Sequence, residues 1–270
     1  MARELFWDPV VYAVGLEFPE APVWHDGDLW VSDVSAGGVH RISAAGGREV
    51  FLAERRGIGG LVPRSDGGLI ASGRNLISVI DSEVIRDRPE FARGLNDLGT
   101  DGEGALLVGV LTFRPALGES ATPGHVARLT RAGDNWTWRS GSRWPNGITQ
   151  TPDGSIYYAD FATGSLNRAG PDMGPVLVST TGHLDGIAAD CRGRIWAATG
   201  PGGTVECWDL HAATARSYPV PAAFVSSVCF GGRDLDRLFI TVSGYAGSST
   251  GAVLSCRVPD PGQPVTPAEV

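Results

Sequence analysis

Short apolar segments alternate with glycine-containing polar turns along the whole chain. The apolar segments that follow the turns are rich in β-branched and aromatic residues, and they cover residues 29–34, 68–73, 105–110, 155–160, 194–199 and 237–243. This composition is typical of buried strands. Dipeptides such as Asp66-Gly67 and Asp153-Gly154 occupy the turns, where glycine supplies the left-handed backbone of a tight hairpin. Because no stretch shows helical periodicity, the pattern predicts an all-β protein built from hairpins.

The hairpins belong to six units that begin alike. The equivalent starting positions are Glu20, Gly60, Asn96, Asn146, Asp185 and Ser227, at intervals of 40, 36, 50, 39 and 42 residues. A repeat of about 40 residues, with room for four strands, is typical of a propeller blade. We therefore predict a six-bladed β-propeller with four-stranded blades, spanning residues 1–270 as a single domain. Residues 9–16 are expected to form the outer strand of the last blade.

Composition narrows the possible chemistry and partners. The 270 residues carry a net charge of -8, which argues against nucleic acid or an anionic membrane as a partner. All 22 basic residues are arginine, so a lysine Schiff base is excluded. No apolar run is long enough to span a membrane. A small-molecule substrate is the expected partner, and the oligomeric state stays open.

The cysteines and the N-terminus give weaker indications. Cys191, Cys207, Cys229 and Cys256 match no zinc-binding spacing, so we expect free thiols. The N-terminus lacks a basic segment followed by an apolar run. The expected location is therefore the cytoplasm.

Four of the six starting positions carry oxygen donors. In a radial fold the carboxylates of Glu20 and Asp185 and the amides of Asn96 and Asn146 would converge near the axis. An all-oxygen set favours Ca²⁺ or Mg²⁺ over Zn²⁺. We expect a divalent metal there, with Ca²⁺ first and Mg²⁺, Mn²⁺ or Zn²⁺ as alternatives. The alternative is structural, since the same polar residues could cap strands or line a water-filled channel.

The segments that follow the second strand of each unit should surround this site. By propeller geometry, residues 111–124, 161–164, 200–203 and 244–251 frame its mouth. We expect Phe113, Arg114, Phe161 and Tyr245 to contact substrate, and residues 244–247 could act as a lid. His183, two residues before Asp185, is a candidate for proton transfer, although a surface position is an equal alternative.

Several aspartates fit structural roles better than catalytic ones. Asp33 and Asp160 end apolar segments, and Asp153 lies in a turn, so we expect them to anchor turns and strand ends. The tryptophans, such as Trp24, Trp30 and Trp196, are expected to pack between blades.

At these residues the chain resembles the SMP-30/gluconolactonase/luciferin-regenerating-enzyme (LRE)-like family of six-bladed propellers. The resemblance covers nearly the whole chain and rests on five segments, at residues 20–24, 96–97, 145–157, 185–188 and 229–235. It implies a central divalent metal held by Glu20, Asn146 and Asp185, with Asn96 as a ligand or a substrate contact. It also implies lactone hydrolysis as the commonest activity, and related metal propellers hydrolyse organophosphates.

One position departs from the sugar-lactone members of that family. They often carry arginine two residues before the asparagine of the third blade, and Gly94 stands there in this chain. Together with the apolar residues Phe113, Phe161 and Tyr245 at the expected mouth, this departure favours a less polar ring than that of a sugar lactone.

The leading hypothesis is a metal-dependent hydrolase that opens a lactone or a similar cyclic ester. Asp185 would take part in starting the attack on the carbonyl. A carboxylate that binds a cation is a poor base, and either a metal-bound hydroxide or His183 acting through water would avoid this difficulty. Two alternatives remain at this point. The same site could run phosphotriester hydrolysis or a ring-opening, isomerising or cyclising step, or the propeller could bind partners without catalysis.

Overall fold

The computed structural model describes residues 7–169, 174–178 and 182–270. Within them the chain forms six four-stranded antiparallel sheets, and the sheets follow one another in chain order. The predicted all-β, six-bladed propeller is therefore confirmed. No helix among the described residues is long and apolar enough to cross a membrane.

The strands are numbered in chain order. They are β1 (Val10–Leu16); in blade 1, β2 (Pro19–His25), β3 (Asp28–Asp33), β4 (Val39–Ile42) and β5 (Arg48–Phe51); in blade 2, β6 (Leu61–Pro63), β7 (Leu69–Ala71), β8 (Asn75–Ser78) and β9 (Val84–Asp87); in blade 3, β10 (Gly94–Thr100), β11 (Leu106–Leu111), β12 (Gly124–Thr130) and β13 (Gly133–Ser142); in blade 4, β14 (Pro145–Gln150), β15 (Ile156–Asp160), β16 (Ser165–Ala169) and β17 (Gly174–Val178); in blade 5, β18 (Ile187–Ala189), β19 (Ile195–Ala198), β20 (Thr204–Asp209) and β21 (Thr214–Pro219); and in blade 6, β22 (Ala222–Gly231), β23 (Arg237–Tyr245) and β24 (Gly251–Arg257). One 3₁₀ turn is present in the part of the chain that the structure describes; it is Pro115–Leu117, in the long connection of blade 3.

The N-terminal strand closes the ring. β1 pairs antiparallel with β24, from Val10 opposite Ser255 to Leu16 opposite Gly251, and so becomes the outer strand of blade 6. The prediction for residues 9–16 is confirmed. Pairing the first strand with the last sheet joins the two ends of the chain through backbone hydrogen bonds.

Apolar residues fill the space between neighbouring blades. The largest cluster joins blades 5 and 6 and contains Trp196, Val225, Leu238 and Leu254, all buried. Trp196 of blade 5 packs edge-on against Phe230 of blade 6 with ring centroids 6.1 Å apart, so its predicted packing role is confirmed. All four cysteines are free, as expected, and only Cys191 is exposed.

The inner strands are irregular at the axial residues. The antiparallel register shifts between Glu20 and Val23 in β2, and between Leu95 and Leu98 in β10. Equivalent shifts occur in β14 and β22. Bulges break the strict alternation of side chains and turn particular residues toward new surroundings. Here they place polar side chains at the axis of an otherwise apolar fold.

Glycines beside the axial residues allow the inner strands to approach closely. A Cβ at Gly147 would lie 2.3 Å from the backbone nitrogen of Ile187, and one at Gly186 would lie 1.9 Å from Oγ of Ser227. The dipeptides Asn146-Gly147 and Asp185-Gly186 therefore mark contacts between blades. They are not turns, although such dipeptides are common in turns.

We expect Gly147→Ala to destabilise the protein by about 1–3 kcal/mol, because β14 and β18 would have to separate. Gly94→Ala is the matched control, since a Cβ there meets nothing within 4 Å. Urea unfolding of both variants measures the difference. Equal stability of the two variants would contradict the close approach described here.

The C-terminal segment, residues 258–270, crosses the end of the propeller opposite the axial residues. Gln263 donates its backbone N–H to Ala189 in blade 5, and Ala268 donates to Pro63 in blade 2. The hydroxyl of Thr100 in blade 3 donates to the carbonyl of Thr266 at 2.6 Å. The segment thereby ties three blades together and covers the far end of the central channel.

Candidate axial site

A ring of hydrogen bonds between neighbouring blades surrounds the axis. Each of its six members joins one blade to the next. They are Ser32 Oγ to Ile58 O (2.8 Å), Gly73 N to Leu95 O (3.1 Å), Asn96 Nδ2 to Pro145 O (2.9 Å), Gly147 N to Asp185 O (3.2 Å), Gly186 N to Ser226 O (3.0 Å) and Ser226 Oγ to Pro19 O (2.7 Å). Every blade is therefore linked to the next. The ring fixes the backbone that carries the predicted axial side chains.

Three carboxylates and one amide meet inside this ring. Glu20, Asp97, Asn146 and Asp185 are all buried, with at most 9% of each residue exposed. The amide of Asn146 donates a hydrogen bond to Asp185. Glu20 accepts the backbone N–H of Ala21 at 3.0 Å. The structure therefore brings together three of the four predicted ligands, and it adds Asp97.

Burial and mutual repulsion raise the pKa of each carboxylate. Burial raises the pKa of Glu20 to about 8, and the negative charge of Asp97 adds to this effect. Burial raises the pKa of Asp97 itself to about 7. For Asp185, burial and then the charges of Glu20 and Asp97 raise the pKa well above its usual value. The protein thus gathers three acidic groups where burial and mutual repulsion favour their protonated forms when no cation is bound.

Metal-free protein should lose stability as the pH rises. Each raised pKa means that the folded state holds a proton that the unfolded chain has released. Stability is therefore greatest below pH 4 for these groups and falls as the pH rises through 7 and 8. Each extra proton adds about 1.4 kcal/mol per pH unit to the slope. Urea unfolding in chelator between pH 5 and 8 measures this slope, and Asp97→Asn should reduce it; an unchanged slope would contradict the prediction.

Asn96 lies beside this cluster, and the nitrogen of its side-chain amide already donates a hydrogen bond to the protein. Its Nδ2 donates to the carbonyl of Pro145 at 2.9 Å. A Cβ at Gly59 would lie 2.6 Å from Oδ1 of Asn96, so the glycine leaves room for that oxygen. Because the amide hydrogens bond to protein, the oxygen is the part of Asn96 that suits a cation or a substrate hydroxyl.

The donor types at the axis, carboxylate and amide oxygens, are those that a hard divalent cation prefers. Among the described residues, no arginine or histidine lies within 4.0 Å of the carboxylates of Glu20, Asp97 or Asp185. Buried charges without a partner are strongly unfavourable. No group of three or more His, Cys, Asp or Glu within the described ranges is arranged to hold a metal. A cation here would consequently depend on the asparagine oxygens as well as on the carboxylates.

Sequence reasoning missed Asp97 as a member of this cluster. Simple alternation along a strand points neighbouring side chains in opposite directions, so Asn96 and Asp97 would not share a site. The bulge between Leu95 and Leu98 removes that restriction. The signal available in the sequence was that Asp97, an acidic residue, directly follows an expected axial asparagine and that leucines flank the pair.

Aromatic residues form an arc at the same end of the propeller. Their ring centroids follow one another from Phe18 to Phe224 (5.3 Å), Phe224 to Phe161 (6.2 Å), Phe161 to Trp144 (4.8 Å) and Trp144 to Phe113 (5.2 Å). All except Phe113 are half-buried. We call this set the aromatic arc. It spans blades 1, 6, 4 and 3 and offers apolar surface beside the axial residues.

Two buried aspartates hold the arc in place. Burial raises the pKa of Asp33, but four backbone N–H donors outweigh burial and lower it, and one of those donors is Phe18. Asp160 accepts the backbone N–H of Trp144, a member of the arc, and the backbone N–H of Ala162, which directly follows Phe161. The predicted anchoring roles of both aspartates are confirmed. Carboxylates that accept several backbone donors fix their loops firmly.

The other predicted residues have varied surroundings. Nδ1 of His183 lies 3.2 Å from the carbonyl oxygen of Phe161, and the two rings pack at 4.8 Å. Because a carbonyl only accepts, Nδ1 is the donor in this contact. Arg114 is exposed and pairs with Glu119 at 3.4 Å. Tyr245 packs against the apolar cluster of blades 5 and 6. Contacts of Arg114 and Tyr245 with substrate stay predictions.

A cavity of about 320 Å³ lies on the other side of the carboxylates. All six inner strands line it, and residues 263–267 of the C-terminal segment border its far end. Asp97 and Ser227 mark where the cavity meets the axial residues. The carboxylates therefore lie between this cavity and the aromatic arc.

Comparisons with known proteins agree with this architecture. A family model described as "SMP-30/Gluconolactonase/LRE-like region" matches residues 18–244. The chain is 30% identical to a protein named pentonolactonase XacC from Haloferax volcanii over 254 residues, which cover 86% of this chain and 83% of that protein.

Solved structures show the same fold. A luciferin-regenerating enzyme superposes with a TM-score of 0.83 at 17% identity, over 97% of this chain and 100% of that one. A calcium-binding protein, regucalcin, from Agrobacterium tumefaciens superposes with a TM-score of 0.79 at 19% identity, over 94% of each chain. At these identities the likeness concerns the fold alone.

Proposed function

Because the chain belongs to the SMP-30/Gluconolactonase/LRE-like family, as its sequence motifs predicted, we propose that it is a hydrolase that opens a lactone or a similar cyclic ester. The observation that carries this proposal is the buried cluster of Glu20, Asn146 and Asp185 at the axis, whose carboxyl groups have no cationic side chain of the described residues within 4.0 Å. A relative that is 30% identical and is named a pentonolactonase supports the reaction class.

We propose that Glu20, Asn146 and Asp185 hold a divalent cation, with the oxygen of Asn96 as a further ligand or a substrate contact. Ca²⁺ is the first candidate, because all these donors are oxygens and because a structural neighbour is named a calcium-binding protein. When bound, such a cation polarises a carbonyl and stabilises the negative charge that develops on its oxygen. Mg²⁺, Mn²⁺ and Zn²⁺ are the ions to compare.

The chain's own residues orient the reactants and move the proton. Asn146 holds the carboxylate of Asp185 in place through its amide. Nε2 of His183 accepts a proton from the attacking water and returns it to the ring oxygen of the lactone. The water oxygen bonds to the carbonyl carbon, the ring C–O bond breaks, and the product is a hydroxy acid. Such proton transfer contributes about 10²–10⁴-fold to a rate.

The mouth of the site suits a ring with an apolar face. The aromatic arc lines one side. At Gly94 there is open space where a side chain could stand, since a Cβ there meets nothing within 4 Å. No side chain at this position reaches toward a sugar hydroxyl. We therefore propose a lactone whose ring itself is less polar than that of a sugar lactone and has an apolar face that packs on the aromatic arc.

A substrate panel tests the proposal. Metal-stripped protein is loaded with each of the four ions and assayed against aliphatic lactones, sugar lactones and phosphotriesters. We expect ring opening of lactones that depends on the added ion. Preferred turnover of phosphotriesters would replace the proposed reaction, and turnover of neither class would leave the propeller as a binding protein.

A further inference from the structure

The connections around blade 2 gather arginines near the axial site. Residues 52–60, 72–75 and 88–94 all lie at the propeller end that carries Asn96, because they precede inner strands or follow β7. They contain five arginines, Arg55, Arg56, Arg74, Arg88 and Arg93, against two glutamates, Glu54 and Glu90. In a chain of net charge -8, this is a local excess of positive charge.

None of these five arginines forms an ion pair with another described residue. Nine other arginines of the chain do, including Arg41 with Asp28 at 2.6 Å and Arg194 with Asp190 at 2.6 Å. Arg88 and Arg93 donate to backbone carbonyls, of Ala92 and Glu90 respectively. The arginines around blade 2 consequently keep uncompensated charge.

Arg55 is the unusual member because it is buried. Only 8% of the residue is exposed. Its Nη2 donates to the carbonyls of Ser72 and Asn75, at 3.0 and 2.8 Å, whereas Nε and Nη1 have no partner. Unpaired buried donors are strongly unfavourable, and guanidinium donors are suited to carboxylate, sulfonate or phosphate oxygens.

Arg74 adds a second charge to the same place. Burial and the nearby charge of Arg74 lower the pKa of Arg55 to about 10, so Arg55 remains protonated at neutral pH. Arg74 itself is exposed. Two cations held close together are stabilised by an anion between them. No carboxylate of the described chain lies within 4.0 Å to take that role.

The backbone links this pair to the axial site. A Cβ at Gly73 would lie 3.5 Å from Nη2 of Arg55. Gly73 pairs with Leu95 through two backbone hydrogen bonds, of 3.1 and 2.7 Å. Leu95 directly precedes Asn96. Hydrogen bonds between Gly73 and Leu95 therefore connect the backbone beside the arginine pair to the backbone beside Asn96. This part of the ring belongs to blade 2, and the aromatic arc does not extend to it.

We propose that Arg55 and Arg74 form an anion subsite, and that the substrate is a lactone with a second, negatively charged group such as a carboxylate, sulfonate or phosphate. The identity of the ligand as a lactone rests on the proposed function, but the anion subsite itself does not. The ring of such a substrate packs on the aromatic arc, its carbonyl faces the axial residues, and its anionic group reaches the arginines.

Binding of a simple anion tests the subsite without any turnover. Thermal unfolding of the full chain is followed in sodium sulfate and in sodium chloride at equal ionic strength. We expect sulfate to raise the melting temperature more than chloride does. Sulfate also stabilises folded proteins in general, so Arg74→Gln should reduce the difference to that general effect. Arg74 is chosen rather than the buried Arg55 because an exposed side chain can change without disturbing the fold. Arg233→Gln, an exposed arginine at the opposite end, is the matched control and should keep the difference.

Kinetics then test the substrate class. Lactones that carry a carboxylate, a sulfonate or a phosphate are compared with neutral lactones of the same ring. We expect Arg74→Gln to reduce the ratio of kcat/KM for charged over neutral substrates by about 10- to 100-fold, as for loss of a charged hydrogen bond. Arg233→Gln should leave the ratio unchanged. The preferred charged group identifies which anion the subsite takes.

The outcomes separate the two proposals. If sulfate acts no differently from chloride, or if Arg74→Gln and Arg233→Gln behave alike, the anion subsite is wrong even when lactones are hydrolysed. If no lactone is opened while the sulfate effect depends on Arg74, the subsite stands and the proposed reaction is wrong.

Discussion

Asp185→Asn is expected to reduce lactone turnover by about 10²–10⁴-fold while leaving the protein folded. The change keeps the size of the side chain and its ability to accept the hydrogen bond from Asn146. It removes one of the negative charges that would hold a cation. It also removes a carboxylate beside the reacting carbonyl. Steady-state kinetics with the preferred lactone and metal measure the loss.

Stability distinguishes a lost function from a lost fold. Asp185 is 4% exposed, and the charges of Glu20 and Asp97 act on it. In metal-free protein at pH 8, Asp185→Asn should therefore melt at a higher temperature than the unmodified chain. Asp234→Asn makes the same chemical change at an exposed position of the opposite end, and it should alter neither activity nor melting. Full activity of Asp185→Asn would remove Asp185 from the site.

The companion variant His183→Gln separates two assignments of the proton acceptor. If His183 carries the proton, this change lowers kcat by a similar factor while metal binding persists. If kcat is unchanged in His183→Gln and lost in Asp185→Asn, the carboxylate is the acceptor. The second result would correct the role that we propose for His183.

Much of the fold could be predicted because each unit repeats the same physical pattern. Strand β3 lies at Asp28–Asp33 where 29–34 was expected, and β15 lies at Ile156–Asp160 where 155–160 was expected. Turn glycines such as Gly154, with φ of 82°, have the left-handed backbone that their sequence indicated. Local chemistry and the period of the repeat pointed to the same architecture.

The site was predictable where it followed from the repeat. Equivalent positions in a radial fold lie at equal distance from the axis, and so Glu20, Asn146 and Asp185 could be expected together. Asp97 could not, because a bulge depends on how two strands pair and leaves little trace in the sequence. For the same reason, the sequence alone does not show whether Asn96, Asp97 or both face the axis.

The aromatic arc was predicted only in part. Phe113 and Phe161 follow second strands, where the mouth was expected. Trp144 and Phe224 lie at the beginning of inner strands instead, and packing with Phe161 brings them to the same surface. Burial of Arg55 was equally hidden, because its partners are backbone carbonyls of another hairpin. Contacts between hairpins depend on tertiary packing, and sequence spacing alone does not determine them.

Addition of a divalent ion to metal-stripped protein is expected to raise its stability by about 2.7 kcal/mol at 100 times the dissociation constant. For a chain of 270 residues this corresponds to a rise of about 5 °C in the melting temperature. Ca²⁺ should give the largest shift, since every proposed donor is an oxygen. The shift should be greater at pH 8 than at pH 6, because burial holds the pKa of Asp97 at about 7 and that of Glu20 at about 8.

Glu20→Gln should remove this shift and also raise the melting temperature of the metal-free protein, because it eliminates one of three buried charges that repel each other. Glu83→Gln, in an exposed turn at the opposite end, is the control and should respond to metal like the unmodified chain. An equal shift in both variants would place the ion elsewhere. If no ion shifts the melting of protein shown to be free of metal, the axial carboxylates serve a metal-free pocket, and protonated Glu20 or Asp185 would have to donate hydrogen bonds to the ligand directly.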